Sequence, residues 1–121
     1  MEAYEILKIA ANALNQKKAK EISALKIENL TTLSEYFLIC TAGSTTQLRA
    51  LCDEAEDKLK ENGVLVNHIE GKSTGWVCLD YGSVIIHIFT RNEREFYALD
   101  EMWKDSEPIN LEEILTDSLG D

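Results

Sequence analysis

The chain has 121 residues, 45% of them apolar and 28% charged, the make-up of one ordinary globular domain and too short for two. Its 22 acidic and 12 basic side chains give a formal charge of −10 and a pI of about 4.6. That balance excludes a protein whose main business is gripping nucleic-acid phosphates; it leaves room for a local basic patch and favours a basic protein as partner. The acidity is one-sided: residues 1–92 hold 12 acids and 10 bases, whereas residues 93–121 hold 10 acids against Arg94 and Lys104 alone.

Cys40, Cys52 and Cys78 are odd in number and have no C-x-x-C spacing. The expectation is no disulfide framework, no zinc ribbon and a reducing compartment. No apolar run approaches the roughly 20 residues that span a bilayer. Met1 to Leu14 carries Glu2 and Glu5 with no basic leader, so a signal peptide is not expected. These features point to a cytoplasmic protein without membrane contact.

Residues 1–18 read as a helix, with Ile6, Leu7, Ala10, Ala11 and Leu14 on one stripe and Lys17 and Lys18 at its negative end. Residues 22–27 read as a strand. Residues 36–41 are a short apolar run of β-formers, expected to be a strand buried on both faces. Ser44 and Gln47 then form a capping box. The helix that follows buries Leu48, Leu51, Cys52, Ala55 and Leu59 and stops at Gly63. Residues 64–69 read as another strand. Residues 76–80 and 83–89 flank Tyr81-Gly82 as a hairpin. Thr90 and Glu93 form a second capping box, opening a helix with Phe96, Leu99 and Trp103 on one stripe. The order α-β-β-α-β-β-β-α predicts an α/β fold: a single layered domain with a mixed β-sheet flanked by helices, over residues 1–108, with an acidic C-terminal tail at 109–121 after the lone proline, Pro108.

If Tyr81 and Gly82 are the loop of the hairpin, Leu79 faces Val84, Cys78 faces Ile85, Val77 faces Ile86 and Trp76 faces His87. Alternation then gives one aliphatic face of Val77, Leu79, Val84, Ile86 and Ile88. The other face is mixed: Trp76, Cys78, Asp80, Ile85, His87 and Phe89. Such a face suits a partner-binding patch with an aromatic anchor. It equally suits a sheet covered on both sides by helices, and the pattern leaves both readings open.

Catalytic chemistry is poorly served. His68, His87 and the three cysteines lie on separate elements, so no metal site is expected. Cys78 and His87 share a face, yet Cys78 has no helix dipole or cation to activate it. The strand, Gly43-Ser44 turn and helix outline an anion cradle, and nucleotidyltransferases use such a turn together with paired carboxylates that hold two metal ions. The following strands carry no carboxylate, and Asp80 stands alone at a turn. The chemistry indicates a non-enzyme with no cofactor. A nucleotide-binding or nucleotidyltransferase-like enzyme built on Gly43-Ser44 is the alternative.

The strings from Ser34 to Ser44, Gly75-Trp76-Val77-Cys78-Leu79-Asp80-Tyr81-Gly82, His87-Ile88-Phe89, Arg94-Glu95-Phe96-Tyr97 and Leu99 to Trp103 together resemble the ribosomal silencing factor, or Iojap-like, family from about residue 3 to Trp103. Glu35 and Ser83 stand where that pattern usually has Asp. The resemblance implies a nucleotidyltransferase-like fold without the catalytic carboxylates. It also implies binding to the large ribosomal subunit through its ribosomal protein fourteen, a steric block to joining of the small subunit, repression of translation under nutrient limitation, and a homodimer. No sequence-specific nucleic-acid contact is implied. On this reading Trp76, His87 and Phe89 form the buried anchor and Tyr81 and Tyr97 extend it. Asp80, Glu93 and Glu95 pair with partner cations, and Arg94 positions the last helix or meets a carboxylate.

Overall fold

The computed structural model describes residues 1–115. Helix α1 (Ala3–Gln16) buries Ala3, Ile6, Leu7, Ala10, Ala11, Ala13 and Leu14. It ends at Gln16, two residues short of the span predicted, with Lys17 as its C-cap and Lys18 at a left-handed φ of 64°. Strand β1 (Lys20–Lys26) begins two residues early and is interrupted by a register shift between Lys20 and Ser23, where Glu21 has φ 50°. Strand β2 (Tyr36–Ala42) is buried along almost its whole length, as expected of a strand covered on both faces.

Helix α2 (Thr45–Glu61) is capped by Ser44, whose side chain accepts from the Gln47 amide, and buries the stripe read from the sequence. Strand β5 (Val84–Thr90) pairs parallel with β2, and strand β4 (Trp76–Asp80), which precedes it in the chain, pairs antiparallel with β5. The strand expected at 64–69 shrinks to β3 (His68–Glu70) on the outer edge of β4. Val64 instead closes the end of α2 by donating to the Leu59 carbonyl. At the other edge, β6 (Glu107–Pro108) pairs with β1, giving a mixed six-stranded sheet in the order β3-β4-β5-β2-β1-β6.

The hairpin register differs from the one predicted. Leu79 pairs with Ile86, Cys78 with His87 and Trp76 with Phe89, each two residues further along β5. The tight turn is centred on Gly82 and Ser83, with Gly82 at φ 83° and the Tyr81 amide donating to Val84 O. A two-residue shift leaves every side chain on its own face, so the face assignments stand.

The last predicted helix is two short ones. Helix α3 (Arg91–Tyr97) ends where Ala98 adopts φ 49°, and α4 (Leu99–Met102) starts there in a new direction. Leu99 and Trp103 pack inward, but Phe96 is 78% exposed rather than part of their stripe. Thr90 makes no side-chain cap bond.

Two cores result. The aliphatic sheet face packs under α1 and α2 with Leu38, Cys40, Val77, Leu79, Val84, Ile86 and Ile88. The opposite face holds a smaller core of Ile27, Phe37, Ile39, Phe89 and Leu99, with Trp76, Ile85 and Trp103 packed against it. The described residues beyond Pro108 continue against the domain. Ile109 N donates to Ala24 O, and α5 (Leu111–Ile114) returns to the main core, where Ile114 is fully buried and its carbonyl accepts from Asn12 Nδ2. The rest of the expected tail, 116–121, lies outside the described residues.

Candidate functional site

The second sheet face is built in rows. One row runs Trp76, Phe89, Thr41; the next Cys78, His87, Ile39; the next Asp80, Ile85, Phe37. β3 adds Glu70 beside Cys78 and His68 beside Asp80. α3 and α4, separated by the left-handed Ala98, cover only part of this surface. Trp76, Cys78, Asp80 and Ile85 remain half-buried as a consequence.

Trp76 is the hub. Its ring stacks on Phe89 at 5.0 Å and 21°, and meets Tyr97 of α3 at 4.5 Å. Phe96 packs edge-on against Tyr97 at 5.1 Å, so an aromatic run leads from the core to solvent. The Trp76 indole donates to His87 Nδ1 at 3.2 Å, and Cys78 Sγ lies 3.4 Å from the same nitrogen. His87 also receives the edge of Phe37 at 4.5 Å. Burial lowers the imidazole to about 4, so it is neutral at ordinary pH. Burial raises the Cys78 thiol to about 11, with Glu70 and Asp80 adding to the rise, and this leaves no thiolate for nucleophilic work.

The residues named from the sequence therefore divide. Trp76 and Tyr97 lie together at the surface of this face. His87 and Phe89 are 5% and 0% exposed and support Trp76 from within. Tyr81 is corrected more fundamentally: it belongs to the aliphatic core on the opposite face, beside α2. Asp80 Oδ1 caps the turn by accepting from Gly82 N at 2.7 Å. Glu93 packs against Gly75, where an added Cβ would sit 2.6 Å from its Cγ, and Glu95 is exposed. Arg94 is turned inward. It forms a two-pronged pair with Asp100, donates to Thr41 Oγ1 at 3.0 Å and to the Glu21 carbonyl, and so ties α3 to β1 and β2. Sequence reasoning placed Ile85 on this face without singling it out, and set Phe96 on the stripe of Leu99 and Trp103, whereas it is exposed. The R-E-F-Y string held the signal for Phe96, once the helix break beyond it is known.

The Gly43-Ser44 turn is filled by its own protein. Gly43 N donates to Gln47 Oε1, and Gln47 Nε2 bridges to the carbonyls of Lys17 and Lys18 at 3.2 Å. No group of three or more His, Cys, Asp or Glu residues able to hold a metal occurs among the described residues. No described helix is long and apolar enough to cross a membrane.

Against known proteins, residues 1–120 match the family model described as "Ribosomal silencing factor during starvation". The ribosomal silencing factor RsfS of Bacillus subtilis is 39% identical over 113 residues, covering 93% of this chain and 96% of that protein. The chloroplastic protein Iojap of Zea mays is 33% identical over 101 residues, 84% of this chain and 44% of its own length. A crystal structure of a Chromobacterium violaceum protein superposes with a TM-score of 0.83 at 35% identity, over 86% of this chain and 88% of that one. One from Bacillus halodurans gives 0.78 at 31%, over 88% and 98%.

Proposed function

The chain belongs to the ribosomal silencing factor family, and from that premise we propose that it docks on the large ribosomal subunit through ribosomal protein fourteen, using the half-covered sheet face. Seated there it occupies ground that the small subunit must reach, blocks subunit joining and represses translation in the cytoplasm. The family's name describes a regulator of ribosomes rather than a catalyst.

The carrying observation is that aromatic run on an incompletely covered face. Trp76 and Tyr97, extended by the exposed Phe96, provide large rigid contact area of the kind that dominates binding energy. Asp80, Glu93 and Glu95, with Glu70 beside Cys78, set an acidic rim around it. A basic ribosomal protein gains on-rate and orientation from such a rim, with a dependence on ionic strength. His87 and Phe89 contribute from behind, by fixing the plane of the Trp76 ring.

Sedimentation with separated subunits tests the reading. The protein should migrate with large subunits alone, and adding small subunits should yield fewer whole particles. Normal assembly of whole particles at saturating protein, or turnover of a nucleoside triphosphate, would overturn it.

A further inference from the structure

The residue that the hairpin reading misplaced lines a second site. Tyr81 is 7% exposed, and its hydroxyl oxygen is buried with no hydrogen-bond partner among the described residues. Buried polar atoms are nearly always paired, so an orphaned phenol beside a cleft calls for an explanation. The ring lines a cleft of about 370 Å³ between α2 and the 64–66 segment, together with Asp53, Glu56, Asp57 and Lys60 on one side and Val64, Leu65 and Val66 on the other. Asp53, Glu56 and Asp57 stand three and four residues apart on α2, so three like charges share one helix face, which opposes helix stability. Burial, with the Glu56 charge adding to it, raises the Tyr81 hydroxyl to about 12. Leu65 is 68% exposed at the rim.

We infer that this cleft binds a primary ammonium or guanidinium group carried on an aliphatic stem. The charged head meets the Glu56 and Asp57 carboxylates and donates to the Tyr81 oxygen. The stem lies along Val64, Leu65 and Val66, as long basic side chains lie along apolar surface. A bare metal ion is a poor occupant, because these carboxylates do not converge as a metal-holding group. Lys60 lines the same cleft without a carboxylate within 4 Å among the described ion pairs, and it sets a competitor that the incoming cation displaces or avoids. The chemistry has two sources, a Lys or Arg side chain of an extended basic segment or a free polyamine. The site lies on the opposite sheet face from Trp76 and does not depend on ribosome binding.

The full chain is titrated with a capped five-residue oligolysine peptide, a matching oligoarginine peptide and spermidine, followed by the NMR shifts of the Tyr81 ring and the Leu65 methyls. Saturable shifts at both residues are expected. A peptide that binds at least ten-fold more tightly than spermidine assigns the site to basic segments, and the reverse order assigns it to polyamines. Tyr81→Phe should weaken binding about five-fold while leaving the midpoint of unfolding unchanged or higher, because it removes only the unpaired hydroxyl. The Glu56→Gln, Asp57→Asn pair should weaken it at least ten-fold. Shifts absent from Tyr81 and Leu65, or affinities unchanged in both variants, overturn the assignment.

Discussion

The Trp76 indole donates its Nε1–H to His87 Nδ1 at 3.2 Å. An indole can only donate, so the imidazole carries its own hydrogen on Nε2, an atom that is buried without a partner among the described residues. Protonating Nδ1 would break the bond that orients Trp76 and place a charge among Phe37, Trp76 and Phe89.

That arrangement makes stability pH-dependent with a defined sign. Burial lowers His87 from 6.5 to about 4. Between those values the unfolded chain binds a proton that the folded chain refuses, so this group costs nothing above pH 6.5 or so. Its cost grows as pH falls, and levels off below about 4. The full loss across the window is about 3 kcal/mol. Urea unfolding at pH 7.5 and 4.5 should show this difference in the wild type over a His87→Asn variant; equal pH dependence would show that the ring is not closed off.

Binding should depend directly on the outward residues and on the inward ones only through the placing of Trp76. Trp76→Ala should cost at least ~2 kcal/mol, about 30-fold in affinity for large subunits. Because Trp76 also packs on Phe89, Phe96→Ser is the cleaner test: a residue this exposed should change stability by less than about 0.5 kcal/mol while still weakening binding. Full affinity in both variants, with normal near-ultraviolet circular dichroism, would remove the face from the proposal.

Arg94 should matter for folding instead. Its side chain, 14% exposed, satisfies the buried Thr41 hydroxyl and the Glu21 carbonyl as well as Asp100. Arg94→Ala leaves these groups unpaired and should destabilise by about 2–3 kcal/mol. Arg94→Lys lacks the planar fork and should recover less than half of that. Chemical denaturation of both variants checks the order.

Two glycines with nearly the same backbone separate strain from crowding. Gly63 and Gly71 have φ of 82° and 80°, yet an added Cβ meets nothing at Gly63 and lies 2.1 Å from the Trp76 carbonyl oxygen at Gly71. Gly63→Ala should cost about 1 kcal/mol from the left-handed backbone alone. Gly71→Ala should cost well over 2 kcal/mol, because the β3–β4 connection must move away from Trp76. Similar midpoints of thermal unfolding would contradict the close approach.

The contrast between legible and illegible parts follows from what periodicity encodes. Ile6 to Leu14, Leu48 to Leu59 and Tyr36 to Thr41 carried enough regular apolar spacing to give α1, α2 and β2 almost to the residue. Alternation assigned Val77 and Cys78 to opposite faces correctly even with the turn misplaced by one residue. What alternation cannot encode is which side chains another element later covers. The pattern left this face open between a partner patch and a covered surface, because nothing in the sequence marks the left-handed kink at Ala98, beyond which Leu99 and Trp103 pack with Phe89. Tyr81 was assigned beyond the strand as a tip residue, whereas the later turn keeps it in the ladder and sends its ring to the α2 side. The family strings name residues of this face and say nothing of which members face outward.

The acidic C-terminal stretch supplies the last test. Its charges read as a solvated tail, and they hid an apolar pattern at Leu111, Ile114 and Leu115 that packs on the main core. Ile114 is fully buried, and Asn110 caps its short helix by accepting from Glu112 N at 3.0 Å. Removing the Ile114 side chain opens a cavity against α1, so Ile114→Ala should cost about 2–4 kcal/mol. A charge-removing Glu112→Gln, Glu113→Gln pair on the same turn should cost under about 0.5 kcal/mol. Ending the chain after Pro108 should destabilise at least as much as Ile114→Ala, since it also removes the Ile109 bond to Ala24. Equal unfolding midpoints for the full and shortened chains would return these residues to the solvent.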